Sequence, residues 1–495
     1  MLAIGADHVG ASGLLIGQCV LAGLLFGAMV WFGRRRGLST VTICLTANLV
    51  AINLNANWVL RPQLLSFIYF TVLLCLLAWC FRGWEGHGWI KWLDRTGDEP
   101  QLAAPEYSAD RLRWLWLAPL IMLLWANSHG GFLAGYAIFA AYMGLRACEA
   151  LACQGRSALG LAGWFALLVT AAGLATLINP YGPELHLWLV DSLGVPRPEI
   201  NDFRAPDMLS LQRLPLWLML AAMFSSLLLT RRSRDLTHLV ILCLTLWQAL
   251  EHRRHIPFFV IPCGMWMAVH IDSLVRRLNV TRWLTRLLSK PATQRAMILF
   301  MFGILLLQVT KLGHRTSALR VHRWLYPVTA FQYIEDRHLN GKMIVPYNWG
   351  QYALSVFGQA TAVKTALRVS VDGRFRTGYP QEVIDMNFDF QAGDRGKRYR
   401  VSAFDDERVL EYGDPDLALV YRSAAHAVNV MFRNQRSWTL LYQDRVAQVW
   451  GRTTRYGNPE SPDFIPFSER SITDERQPGW IPWPAFPVGA LSRGG

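Results

Sequence analysis

Four short clusters in this chain carry side chains able to bind or react beside long apolar blocks. They are Arg61-Pro-Gln63, Trp125-Ala-Asn-Ser-His-Gly-Gly131, Asn179-Pro-Tyr-Gly182 and Glu251-His-Arg-Arg-His-Ile-Pro257. A charge at the centre of a bilayer costs on the order of 2.5–3.5 kcal/mol on insertion scales, so such groups gather where they are used or at span ends. Taken singly, each cluster reads as an interfacial cap or turn: Arg snorkels, Asn-Pro and Gly-Gly break helices, His and Trp sit in the belt. Together they predict a cavity lined by Arg61, Asn127, His129, Asn179, Tyr181, Arg254 and His255. Arginine forks and helix N-termini in such a cavity suit an anionic head group, phosphate above all.

The matching carboxylate is sought in the one long polar connection, Asn179 to about Pro215, which carries Glu184, Asp191, Glu199, Asp202 and Asp207. That stretch is too polar to span and predicts short helices lying on the membrane surface. Asp202, between Glu199 and Arg204, is the expected base for a hydroxyl acceptor, with Glu199 able to substitute. No metal site is expected: His252 and His255 lie near Glu251, but neither an H-E-x-x-H pattern nor a cysteine pair accompanies them. A divalent cation held by carboxylates and a lipid phosphate would leave little sequence trace and stays open. Farther on, Tyr347-Asn-Trp-Gly-Gln-Tyr352 and Val371-Asp-Gly-Arg-Phe-Arg376 follow strand-like runs. One reading makes them a sugar-facing surface with Asp372 and Arg374 as polar members; the other makes them a tight turn and a core cluster. No G-x-S-x-G, P-loop or dinucleotide fingerprint is present, against acyl transfer and ATP-driven pumping.

The elements that must hold these residues follow from composition. Of 495 residues, 52% are hydrophobic and 17% charged, against about 25% charged in soluble domains. The apolar residues come in blocks the length of bilayer spans, which excludes a single soluble domain and a disordered chain. Ten candidate spans fall near 11–33, 40–60, 62–81, 114–127, 131–150, 159–178, 216–230, 236–251, 256–272 and 296–312. Every second connection is basic: Arg34–Arg36; Arg82 to Arg113; Arg146 and Arg156; Arg231 to Arg234; Arg276 to Arg295. By the positive-inside rule those connections are cytoplasmic, and the polar clusters, the first residue and the C-terminal part lie outside.

The net charge of +14 concentrates in the apolar part: residues 1–312 hold 26 Lys and Arg against 16 Asp and Glu, residues 313–495 hold 23 against 19. Nucleic-acid binding is therefore not expected. All eight cysteines precede residue 312 and show no metal or redox spacing. Residues 313–456 read as an α/β domain: a helix over Tyr326–Leu339, strands at Lys342–Pro346, Val369–Asp372 and Leu417–Tyr421, and a hairpin of Trp438–Tyr442 with Val446–Trp450. Residues 457–495, rich in Pro, Gly and charge, are expected to be poorly ordered.

The ordered set Arg61-Pro-Gln, Trp125-Ala-Asn-Ser-His-Gly-Gly, Asn179-Pro-Tyr-Gly, Arg254-His-Ile-Pro-Phe-Phe259, Tyr347-Asn-Trp-Gly-Gln-Tyr and Asp372-Gly-Arg resembles bacterial multi-spanning glycosyltransferases of the GT-C type, which use polyprenyl-phosphate sugars. The resemblance runs over roughly residues 10–452. Ile200-Asn-Asp-Phe-Arg-Ala-Pro206 is similar to that group's acid-aromatic-x-small-Pro segment, with Asp202 and Phe203 where Glu and Trp are usual; Gln351 stands in place of a second Gly. The fold this implies is an α-helical polytopic membrane protein of about ten spans, GT-C-like, with a C-terminal extracytoplasmic α/β domain. The implied place is the bacterial inner membrane, the implied partners are the lipid bilayer and a polyprenyl-phosphate-linked sugar, and the implied reaction is sugar transfer to an envelope acceptor on the outer face. GT-C enzymes generally keep the catalytic carboxylate in the first outer loop, and the segment ending in Trp-His-Leu expected there is missing. The resemblance thus implies a chain lacking the N-terminal span and that loop, and three accounts fit: a start assigned too late, a truncated and inactive chain, or catalysis by another carboxylate, with Asp7, where the loop would end, as a third candidate base. A non-catalytic subunit or a transporter for envelope polysaccharide is the other reading.

Overall fold

The computed structural model describes residues 2–84 (2–7 by backbone alone), 107–279 except 231, and 320–482 except 358–366 and 395–397, with isolated positions between 291 and 313. The chain divides into two compact units, Met1–Gly313 and His314–Gly495.

The first unit is helical. In chain order it holds α1 (Leu2–Arg35), α2 (Thr40–Leu54), α3 (Gln63–Cys80), α4 (Ala109–Arg113), α5 (Leu117–Ala126), α6 (Phe132–Gln154) and α7 (Leu159–Thr176). There follow α8 (Glu184–Leu193), α9 (Leu214–Leu229), α10 (Leu236–Glu251), α11 (Ile256–Trp266) and α12 (Ala268–Arg277). Local signals place the boundaries. The Ser39 hydroxyl accepts from the Thr42 amide at the start of α2, and Asp235 accepts from the His238 amide at the start of α10. Pro215 and Pro257 stand in the first turns of α9 and α11, where a missing N–H costs nothing. Gly155, at φ 61°, ends α6 in a conformation that side-chain-bearing residues avoid, and α7 packs back on α6.

Four helical runs among the described residues are long and apolar enough to cross a membrane: His8–Arg35, Gln63–Cys80, Phe132–Thr176 and Leu211–Leu229. The pair α11–α12, bent by 49°, would be a fifth. This is a multi-pass membrane protein, but the count of ten is not reproduced. The Gly155 break makes two helices of one run; α2, α5 and α10, at 15, 10 and 16 residues, fall short of the roughly 20 residues of a full crossing; the block at 296–312 lies outside the described residues.

Every residue of α11 is buried, so this helix is the axis of the bundle. Phe258 packs on Phe67 and Phe70 of α3, with ring centroids 6.1 and 5.2 Å apart. At the far end of the bundle the structure corrects the reading of Arg146 as a basic loop residue. Its side chain is 1% exposed, pairs with Glu149 at 2.8 Å and Asp235 at 2.7 Å, and donates to the Tyr142 hydroxyl.

The second unit is α/β. Its main sheet has the order β3-β2-β4-β6-β5-β7, built from β2 (Gly341–Ile344), β3 (Leu367–Val369), β4 (Leu417–Tyr421), β5 (Trp438–Gln443), β6 (Ala447–Arg452) and β7 (Ser471–Ile472). β2 runs parallel to β3 and β4; β6 runs antiparallel to β4 and β5. Alternation along the strands gives the sheet two buried faces. Met343, Leu417 and Leu419 meet α13 (Val328–Asp336) and α14 (Tyr347–Phe357) on one face. Ile344, Ala418 and Val420 meet α15 (Gln381–Ala392) and α16 (Ala425–Arg433) on the other. The expected hairpin forms, its turn held by Asp444, which accepts from the Val446 and Ala447 amides at 2.7 Å.

The stretch expected to be loose from residue 457 is instead built into the fold as far as Pro482. β7 extends the main sheet beside β5, and β8 (Trp480–Pro482) pairs with β1 (Arg320–His322). Tyr333 and Arg422 tie to Glu469 and Asp474. Paired strands and ion pairs outweigh a composition that by itself reads as disorder.

Candidate functional site

In the helical unit, the polar clusters meet where α11 begins. The turn Asn201–Phe203 packs on the turn Arg253–His255 that leads into the axial helix. Backbone and side chain sew them together: the Arg253 amide donates to Arg204 O at 3.0 Å, Arg253 Nε donates to Ala205 O at 3.3 Å, and His252 Nδ1 donates to Phe203 O at 2.7 Å. The Arg254 guanidinium lies 4.4 Å from the centroid of the Phe203 ring, and Arg197 lies 4.8 Å from the same ring. Aromatic faces attract cations in this way, so Phe203 holds two guanidinium groups close together that would otherwise repel.

Asp202 points to Arg61, with Oδ2 2.7 Å from Nη1 and both side chains more than half exposed. Arg61 and Asp202 both lie within electrostatic reach of Arg254, and Gln63 Nε2 donates to Arg254 O at 3.4 Å. The exposed pair is weak as a stabiliser. Its consequence is geometric: Arg61 engages Asp202, and a competing anion at Arg61 would free the carboxylate.

His129 approaches from the α5–α6 turn. Its Nδ1 accepts from the Gly131 amide at 3.0 Å and is 2.8 Å from Ser66 Oγ, which in turn accepts from Trp125 Nε1 at 2.8 Å. With Nδ1 an acceptor, the ring proton sits on Nε2. Burial, with the nearby Arg254 charge, pushes the His129 pKa down to about 4, so the ring is neutral near pH 7 and offers Nε2–H as a donor. His255 Nδ1 donates to Gln248 Oε1 at 3.2 Å. Arg61, Asp202, His129, Arg254 and His255 thus form one neighbourhood at the N-terminal end of the axial helix, whose aligned peptides add positive potential.

Other expected residues have different work. Asn127 Nδ2 donates to Leu123 O and Ile178 O, both at 2.8 Å; Asn179 Nδ2 donates to Thr176 O and Gly182 O, while its Oδ1 accepts from the Tyr181 amide. These bonds hold helix ends and engage both amide hydrogens of each side chain within the fold. Tyr181 is exposed beside them. Glu199 is half-buried, and its Oε2 is buried without a hydrogen-bond partner among the described residues. Asp7 falls in the first turns of α1, where only the backbone is described. No group of three or more His, Cys, Asp or Glu suited to a metal occurs among the described residues.

In the α/β unit the two motifs pack on each other. A Cβ on Gly350 would sit 2.0 Å from Val371 O, so the backbone of 371–372 rests directly on α14 and excludes a side chain there. Asp372 is buried, and its carboxylate accepts from Arg374 Nη2 at 2.6 Å, from the Arg374 amide at 2.8 Å and from the Tyr379 hydroxyl at 2.8 Å. Burial pushes this carboxyl up, and the hydrogen bonds of Arg374 and Tyr379 overcome it, holding the pKa below the usual carboxylate range. Asp372 is thus a support for the exposed Arg374 and not itself a sugar-facing group.

Sequence reasoning missed Phe203 as the platform for Arg254, His252 as the clamp on its backbone, and the Trp125–Ser66–His129 relay. Phe203 lay inside a quoted motif; that two arginines 57 residues apart would share its ring has no local signature.

No protein-family model matches the chain, and no curated protein is similar to it. Among solved structures, the chain is similar to the Archaeoglobus fulgidus oligosaccharyltransferase in the apo form, with a TM-score of 0.46, 11% identity, and coverage of 84% of this chain and 59% of that one. It is also similar to the archaeal oligosaccharyltransferase AglB from Archaeoglobus fulgidus in complex with an inhibitory peptide and a dolichol-phosphate, with a TM-score of 0.48, 11% identity, and coverage of 88% and 63%. The chain therefore spans about three fifths of the length of these structures.

Proposed function

We propose that this protein is a GT-C-like glycosyltransferase of the bacterial inner membrane, which moves a sugar from a polyprenyl-phosphate donor to an envelope acceptor on the outer face. The observation that carries the reading is the Arg61–Asp202 pair beside Arg254 at the N-terminal end of a fully buried helix. An apolar bundle ending in two arginines and a neutral histidine suits a lipid phosphate: the chain lies against the helices, and the head group meets forked donors.

The donor phosphate draws Arg61 from Asp202. The freed Asp202 carboxylate then takes the proton of the acceptor hydroxyl as its oxygen bonds to the sugar's anomeric carbon. The bond from that carbon to the phosphate oxygen breaks, and the leaving lipid phosphate keeps the electron pair and its charge against Arg61 and Arg254. General-base help of this kind is worth about 10²–10⁴ in rate. Glu199 is the alternative acceptor of the proton. A second reading, a non-catalytic lipid-phosphate-binding subunit, is favoured by the pairing that ties up Asp202.

The test is sugar transfer by the purified protein, with donor binding measured separately. Asp202→Asn should lower kcat by about 10²–10⁴ with donor binding retained. Arg254→Ala should weaken donor binding more than Arg254→Lys, which keeps the charge but loses the fork. Full activity of Asp202→Asn would remove it as the base and turn attention to Glu199→Gln. Saturable donor binding by the unmutated chain with no turnover would favour the binding subunit.

A further inference from the structure

In the α/β unit, the two-stranded sheet of β1 and β8 has one face in the core and one face outside. The register pairs Arg320 with Pro482, Val321 with Ile481 and His322 with Trp480. Side chains alternate along a strand, and directly opposed residues share a face. Val321 and Ile481 pack into the core with α13 and α14, so Arg320, His322 and Trp480 point outward together. They form a ladder: the Arg320 guanidinium lies 4.4 Å from the Trp480 ring centroid, and the His322 ring stacks on Trp324 at 4.4 Å.

Trp324, Leu325, Tyr326 and Trp480 are all exposed, and the fold holds them so. The Leu325 and Tyr326 amides both donate to His322 O at 3.1 Å, and the Arg323 amide donates to Gly479 O at 3.2 Å. From α14, Trp349 Nε1 donates to Leu325 O at 3.1 Å, and the Tyr352 ring meets Tyr326 with centroids 5.4 Å apart. The Tyr347-Asn-Trp-Gly-Gln-Tyr352 motif thus braces a turn that cannot fold its apolar side chains away. Apolar groups clustered and fixed at a surface mark a place where something covers them.

We propose that this face docks on the bilayer surface, with Trp324, Leu325, Tyr326 and Trp480 entering the interface while Arg320 and Arg323 meet lipid phosphates. Trp and Tyr beside Arg are the side chains that settle at head-group level. The polar members of the ladder are Arg320 and His322, which complement anionic head groups; a platform for a saccharide would call for carboxylates and amides beside the rings. The chain also keeps this face near lipid. The apolar block at 296–312 ends twelve residues before Trp324, a stretch that reaches at most about 40 Å when fully extended. The docking rests on that block entering the membrane and not on the sugar-transfer reading.

The experiment is photo-crosslinking of the full chain in nanodiscs of phosphatidylcholine and phosphatidylglycerol. A benzoylphenylalanine label replaces Trp324 in one protein, Trp480 in a second and Tyr412 in a third. Tyr412 is an exposed aromatic at the other end of β2, beside Gly413, whose carbonyl accepts from Lys342 Nζ. Mass spectrometry of the irradiated peptides reads what each position touches. Positions 324 and 480 should give phospholipid adducts at least about tenfold above position 412, the preference that burying one aromatic side chain confers. Circular dichroism checks the fold of each labelled protein, and either of the two labels decides the matter if the other disturbs it. Lipid adducts at 324 and 480 no more frequent than at 412 would overturn the docking. Adducts only to a second chain, or to residues beyond Pro482, would overturn it as well by naming a different occupant.

Discussion

His129 shows how much one side chain can be read from its partners. Its Nδ1 accepts from Gly131 and faces Ser66, which fixes the tautomer, and burial beside Arg254 holds its pKa near 4. The unfolded chain binds a proton here below about pH 6.5, and the folded chain only below about 4. Folding is therefore supported by the neutral ring above pH 6.5, and this support drains away as the pH falls through that window. His129→Asn should flatten the fall of thermal stability between pH 6.5 and 4 by up to one proton's worth, about 1.4 kcal/mol per pH unit. Unfolding midpoints across that range, parent against variant, decide it; parallel curves would mean that the ring titrates normally. The residue type was legible in the Trp-Ala-Asn-Ser-His-Gly-Gly run. The relay through Ser66 was not, because it joins helices 63 residues apart in sequence.

At the scale of elements, the instructive case is α6. Leu145-Arg-Ala-Cys-Glu149 looks like the basic end of a span, yet Arg146 and Glu149 are each 1% exposed and paired with each other, and Arg146 also reaches Asp235, 89 residues on, at the start of α10. Hydropathy along the chain reports where apolar residues lie and is blind to a partner on another helix. The same blindness let the block at 40–60 pass as one span, although α2 stops at Leu54 before the short turn Asn55–Asn57. The hairpin of β5 and β6 was legible because its turn and alternation are local. The ion cluster predicts an asymmetry. Arg146→Met leaves Glu149 and Asp235 buried with too little positive charge and should cost about 3–5 kcal/mol. The double variant Arg146→Met/Glu149→Leu leaves Asp235 with Arg36, which lies within its electrostatic reach, and should recover most of the loss. Denaturation of the three proteins in the same detergent compares them; a double variant no better than the single one would mean that Arg146 holds the helices by packing alone.

At the scale of the whole molecule, the two ends of the helical bundle differ in charge. At one end Arg276 donates to Gly37 O and Arg277 to Leu229 O, so the termini of α1, α9 and α12, with Arg34 and Arg35 beside them, come together. Arg61, His129 and Arg254 belong to the other end, where α3, α6 and α11 begin. A basic end is usually retained in the cytoplasm during insertion, which predicts the candidate site on the outer side. The exposed Leu187, Val190, Leu209 and Leu211 of the loop between α7 and α9 then face the outer membrane–water boundary, where an apolar surface is buried by lipid. A reporter enzyme that works only outside the cytoplasm should be silent when fused after Gly37 and active when fused after Gly495. The reverse pattern would put Arg61, Asp202 and Arg254 in the cytoplasm. A lipid-phosphate sugar on the outer face could not reach them there, and the transferase reading would fall with the topology.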